Sequence, residues 1–291
     1  MARKTNVAAA VLWMVGTLLS FSVLAVSIRQ LSYANFTIFE ILTVRACGIL
    51  IICGILLVVR PQLRVQARPH RMKLNLLRNT VHFISQFAWA TSLTMLPLAM
   101  VFALEFTMPA WTALLAVWLL RERMTPSRLG VVVFGLIGVL VILRPGIAGF
   151  NPAAFLVLAA AFGYAVTMIT TKQLTNTSST FNIVFWMGVI QLPLAAAGSN
   201  LSVLLHVQPW TILPMLGVAI AGTSAHFCLS NAFRAGDATL VVPLDFMRIP
   251  LIAVVGWALY GERLDIFVLI GALIIIAGVL WNLRSEHARA H

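Results

Sequence analysis

The chain has 291 residues, 61% of them hydrophobic and 10% charged, with a formal net charge of +12. A soluble globular domain carries roughly 45–50% apolar and about 25% charged residues, so this composition excludes a water-soluble fold and makes the bilayer interior the natural solvent. The positive charge does not read as nucleic-acid binding, because the basic residues punctuate apolar runs rather than cover a continuous polar face.

A spanning helix needs about 20 mostly apolar residues. In chain order the predicted spans are 7–28, 37–59, 74–95, 97–119, 127–143, 152–171, 181–199, 209–231, 236–260 and 266–283. Arg3 and Lys4 precede the first. Its apolar part exceeds the roughly 7–15 residues of a signal-peptide core, so it reads as an uncleaved helix. The longest loop, 60–73, is basic, with Arg60, Arg64, Arg68, Arg71 and Lys73. With the N-terminus in the cytoplasm, the inside segments hold fourteen of the basic residues, and the outside segments hold Arg29, Arg144 and Arg263. This bias predicts an even number of spans and both termini in the cytoplasm. Cys47, Cys53 and Cys228 lie in apolar segments without metal-ligand spacing, and no metal or cofactor is expected.

The chain also repeats. A shift of 140 residues sets Leu104-Glu105-Phe106 on Leu244-Asp245-Phe246, Glu122-Arg123 on Glu262-Arg263, and Gly138-Val139-Leu140 on Gly278-Val279-Leu280. A shift of 143 sets Arg29-Gln30-Leu31 on Lys172-Gln173-Leu174 and Phe21 on Tyr164. Five spans per repeat is an odd number, so the second repeat enters the membrane from the opposite side. The expected fold is an all-α integral membrane protein of ten transmembrane helices, arranged as two inverted five-helix repeats, 1–144 and 145–291. Inverted repeats supply two related arrangements, open inward and open outward, which is the basis of alternating access.

The repeated pattern ends a helix in Leu-Leu-Arg-Glu-Arg (119–123) or Leu-Tyr-Gly-Glu-Arg (259–263), then closes a glycine-containing helix with Gly-Val-Leu. Together with Arg45 in the second span and Pro109 and Pro250 within helices, it resembles the EamA-type branch of the drug/metabolite transporter superfamily. The resemblance implies a multi-pass protein of the bacterial inner membrane, with a central cavity lined largely by spans 1, 3, 4, 6, 8 and 9. It implies no catalytic residues.

An ionisable group at the centre of a span costs about 2.5–3.5 kcal/mol on insertion scales, so such groups should face a cavity or a partner. Arg78, His82, Gln86 and Trp89 share one face of the third span. They could bind an anionic group, or Arg78 could snorkel to the headgroups while His82 bonds a neighbouring helix. Glu105 and its repeat-mate Asp245 stand beside Pro109 and Pro250, which kink their helices and free a backbone carbonyl. Either acid could hold a substrate ammonium or a proton at a hinge. Alternatively Glu105 pairs with an arginine from another span, and Asp245 pairs with Arg248. Arg45 is expected to find a partner across the bundle, with Glu105 a candidate. Polar faces bearing Trp13 and Ser20 in span one, Tyr164 in span six and His226 in span eight could line a pocket or hydrogen-bond helix to helix. Glu262 and Asp265 read as start signals for the last helix. The glycines of spans five and ten read as a close-packing face, within the chain or in a homodimer.

The expected function is a secondary transporter of a small polar or amphipathic metabolite, acting as an exporter, with protons as a possible coupling ion. A vitamin-like importer, of the riboflavin type, is the alternative. A membrane-embedded enzyme is disfavoured, because the eight acids form no metal-ligand pair. A channel or scaffold is disfavoured by the acid-bearing, proline-broken repeat helices.

Overall fold

The computed structural model describes residues 6–120, 124–144, 151–175, 177–200, 202, 207–235, 238–263 and 265–290. Residues 120, 238, 239, 243 and 286–290 are described by backbone alone. Arg3, Lys4, Arg121, Glu122 and Arg123 of the sequence reading lie outside the described residues, as does the side chain of Arg289.

Among the described residues the regular structure is helical throughout. The first half contains α1 (Val7–Tyr33), α2 (Ile38–Val59), the short α3 (Leu63–Gln66), α4 (Met72–Met95), α5 (Leu98–Glu105), α6 (Met108–Leu120) and α7 (Pro126–Leu143). The second contains α8 (Ala153–Thr175), α9 (Thr180–Ala196), α10 (Pro209–Ala235), α11 (Ala238–Asp245), α12 (Arg248–Tyr260) and α13 (Ile266–Ala290). Local chemistry sets several starts. Thr37 and Glu40 form a capping box on α2. Thr125 caps α7 ahead of Pro126, and Asp265 Oδ1 accepts from Phe267 N at the start of α13.

Among the described residues, seven stretches are long and apolar enough to cross a membrane: α1, α2, Leu98–Leu119, α7, α8, α10 and Ile266–Ser285, with α9 and α12 as shorter apolar helices. The outer faces are oily, with Leu12, Trp118 and Leu213 each more than three-quarters exposed. At 24 residues α4 has the length but not the apolarity. Its polar residues Asn75, Arg78, Asn79, His82 and Gln86 are all buried, turned toward other helices rather than toward lipid.

Helix neighbours come in matched sets. α1 packs along α10 and α4 along α8, while α2 lies on α9 and α7 on α13. The last two pairs are antiparallel. Thr43 meets Ser199 at one end of α2–α9, and Ile49 meets Gly188 further on. On α7–α13, Gly138 lies opposite Gly271, Phe134 opposite Gly278 and Gly130 opposite Trp281. A Cβ on Gly138 would fall 2.6 Å from the Gly271 carbonyl oxygen, and one on Gly271 equally close to the Gly138 carbonyl. Only glycine allows so close an approach. This glycine face is therefore used inside the chain.

The two interrupted helices share one geometry. α5 ends at Glu105 and α6 starts at Met108; α11 ends at Asp245 and α12 starts at Arg248. Phe106 N donates to Phe102 O at 3.3 Å, and Thr107 N to Leu104 O at 3.1 Å. At the other break Phe246 N donates to Val242 O at 3.3 Å, and Met247 N to Leu244 O at 3.1 Å. A proline follows each break, Pro109 or Pro250, and cannot donate to the carbonyl four residues back. Each helix is broken by a two-residue turn, 106–107 or 246–247, just before the proline from which a kink is expected. The breaks face each other, with the Phe106 and Phe246 rings 4.8 Å apart.

Candidate functional site

A cavity of about 540 Å³ lies between the two breaks. Of the residues singled out from sequence, Arg45, Arg78, His82, Gln86, Trp89, Glu105, Pro109, Tyr164, His226, Asp245 and Arg248 line it. On α8 the lining runs from Tyr164 to Thr171 and on α10 from His226 to Phe233, both toward the end of the bundle that holds Asn6. At the opposite end Leu24, Ile28, Leu31, Leu93, Leu96 and Leu98 close it off in one buried cluster.

The acidic wall is built at the breaks. Trp89 Nε1 donates to Glu105 Oε2 at 2.8 Å, and Arg248 Nη1 lies 3.5 Å from Glu105 Oε1. Arg248 Nη2 donates to Asp245 Oδ1 at 2.5 Å. The Arg248 guanidinium thus bridges both carboxylates, and it stacks on Phe21 with 3.9 Å to the ring centroid.

The basic wall is built on α2 and α4. Arg45 donates to Gln86 and, at 3.4 Å, to Gln191 Oε1. The expected Arg45–Glu105 pair is not formed, because Glu105 is already held by Trp89 and Arg248. Arg78 donates to Thr171 Oγ1 at 3.1 Å and to Asn79 Oδ1 at 2.6 Å. Gln191 Nε2 donates to the Asn79 carbonyl and meets His82 Nδ1 at 2.9 Å. An edge-on aromatic row, Phe21–His226–His82–Tyr164, runs along one side with centroid spacings of 5.8, 6.5 and 5.7 Å.

Trp13 and Ser20 do not line this cavity. They belong to the α1–α10 seam, where Trp13 meets the Phe227 edge at 5.8 Å and Ser20 bonds Ser224 at 2.9 Å. Gly16 abuts Cys228, and Ser27 fills the space beside Gly217. Small polar residues on this face serve close packing. Pro250 is exposed and also lies outside the lining. Gln191, Asn79 and Thr171 were missed from sequence. A glutamine within an otherwise apolar helix was a readable signal for the first.

Glu262 does not start the last helix. It pairs with Arg29 at the end of α1 and accepts from Leu98 N at 2.9 Å, capping α5 from across the bundle. Arg29 also donates to the carbonyls of Leu93 and Leu96 and lies 4.8 Å from the Tyr260 ring centroid. Asp265 caps α13 and pairs with Arg144.

Comparison with known proteins fits this arrangement. The EamA-like transporter family matches twice, over residues 8–144 and 151–284. The chain is 27% identical to the S-adenosylmethionine uptake transporter of Rickettsia prowazekii (strain Madrid E), over 73% of this chain and 72% of the relative. It is 30% identical to a riboflavin transporter of Brucella anthropi, over 68% and 72%. It is 27% identical to a probable amino-acid metabolite efflux pump of Salmonella typhimurium, over 64% and 72%. A solved crystal structure shares the fold at a TM-score of 0.59 and 19% identity, covering 94% of this chain and 96% of that one. The chain belongs to the EamA-like transporter family, and it is a multi-pass membrane transporter rather than an enzyme.

Proposed function

We propose that this protein is a secondary carrier that moves a small polar or amphipathic metabolite by alternating access. Its ten spans would be α1, α2, α4, α5–α6, α7, α8, α9, α10, α11–α12 and α13, in two inverted repeats, 1–144 and 145–291. The observation that carries the reading is the pair of matching helix breaks, each with an acidic residue at its edge, meeting at one cavity. Carriers built from inverted repeats bind substrate between discontinuous helices near the bilayer midplane. The antiparallel packing of α2 on α9 and of α7 on α13, each pair occupying corresponding places in the two halves, supports the inversion. Counting α4 as a span is supported by its buried polar face, which keeps that polarity away from lipid.

With the N-terminus in the cytoplasm of a bacterial cell, the cavity opens inward and the Arg29–Glu262 end is the closed outer gate. Glu105, at one break, is the candidate proton carrier, and its two partners are groups that substrate entry could displace. The relatives named S-adenosylmethionine uptake transporter support import over the export expected from sequence alone, and they and the riboflavin transporters support a vitamin- or nucleoside-sized compound, while the relative named as an efflux pump supports export. The test is saturable counterflow in proteoliposomes, run with and without an imposed pH gradient, against a panel of flavins, nucleosides and amino acids. Saturable counterflow of one class establishes the carrier and names its substrate; stepwise conductance with no counterflow overturns it in favour of a pore.

A further inference from the structure

We infer that the ligand of the cavity carries an oxyanion, a carboxylate or a phosphate, neutralised jointly by Arg45 and Arg78. This deepens the carrier reading and rests on it. Arg45 and Arg78 are 2% and 8% exposed. Among the described residues no carboxylate lies within 4.0 Å of either, and their partners are the uncharged Gln86, Gln191, Thr171 and Asn79. Nε of Arg45 has no hydrogen-bond partner, as is true of Arg248 Nε, but Arg45 also lacks the carboxylates that Arg248 contacts. Space is kept for the Arg45 guanidinium: a Cβ on Gly222 would lie 2.8 Å from its Nε. Both side chains line the cavity, so what they lack can enter from it.

The acidic wall has the opposite character. Arg248 already contacts both Glu105 and Asp245, so a cationic ligand would meet carboxylates that already share a counterion. Among the described lining residues, three guanidiniums against two carboxylates leave an excess positive charge, sited on the α2–α4 wall. An oxyanion there would take charge-assisted hydrogen bonds in a low-dielectric space, where they are strongest. Phe21, His226, His82 and Tyr164 also line the cavity and supply aromatic surface for a planar or apolar body attached to that group.

The test uses the full-length protein and matched pairs that differ in the acid group: tryptophan against tryptamine, indole-3-propionate against 3-ethylindole, and phenyl phosphate against phenol. Binding is read by thermal shift in detergent, and flux in proteoliposomes. An acid-bearing member should bind at least roughly tenfold tighter than its acid-free partner. Carboxylate and phosphate preferences distinguish the two oxyanions. Arg78→Gln and Arg45→Met should each remove most of that preference, weakening the acid-bearing member of each pair by more than its acid-free partner. If Arg45→Met does not fold, the wild-type pairs and Arg78→Gln decide alone. Equal or tighter binding of tryptamine or phenol, or no binding by any acid-bearing member, overturns the inference. Acid-selective binding without flux upholds it and counts against the carrier reading, whereas saturable flux without acid preference does the reverse.

Discussion

Two regions of this protein bury arginine, and they treat it in opposite ways. At the closed end Arg29 meets Glu262, three contacts to backbone carbonyls and a tyrosine face. In the cavity Arg248 is likewise matched, but Arg45 and Arg78 are held only by uncharged groups. Burying an unpaired charge is costly, so a guanidinium kept dry with its counterion supplied reads as structure. One kept beside a cavity without a counterion reads as a place for something else to bind. On the proposed function, the same residue type marks the gate in one region and the binding wall in the other by what surrounds it.

The largest expected effect lies at the breaks. Glu105→Gln should reduce transport to background, or uncouple it from a pH gradient, while expression and melting temperature hold. Normal coupled flux in that variant would remove Glu105 from the mechanism. At the closed end Glu262→Ala leaves Arg29 buried without its counterion and uncaps α5, and should destabilise by about 3–5 kcal/mol, read as a lower melting temperature in detergent. A loss below about 1 kcal/mol would erase the contrast between the two regions. Gly138→Ala drives a methyl into the Gly271 carbonyl, and should cost about 1–3 kcal/mol in stability by forcing α7 from α13. The smallest effect belongs to Ser20→Ala, which loses one interhelical hydrogen bond worth about 0.6 kcal/mol and should leave transport intact. Lost transport there would return the α1 face to the site.

Hydrophobic run lengths made the membrane class and the helix positions legible, since a span is a simple pattern in composition. The cavity was also largely legible. Ionisable groups inside spans are rare enough that Arg45, Arg78, His82, Glu105, Asp245 and Arg248 stood out, and the fold brings all of them to one space. Partner choice was not legible, because it depends on which helices touch. Arg45 and Glu105 both line the cavity, but Trp89 and Arg248 reach the acid first. Glu262 sits beside the start of α13 in sequence but caps α5 in space. The polar face of α1 resembles a lining because serine and threonine serve seams and pockets alike, and only the course of α10 distinguishes them.

Alternating access requires the Arg29 end to open during transport, and that is the claim to test most directly. Tyr33 and Tyr260 face each other there, with ring centroids 6.1 Å apart. Cysteines at these two positions, in a background with Cys47, Cys53 and Cys228 replaced, can be joined by a short bis-maleimide linker and assayed in proteoliposomes. The cross-linked protein should still bind its ligand from the cavity side while saturable flux stops. Undiminished flux through the linked protein would contradict it.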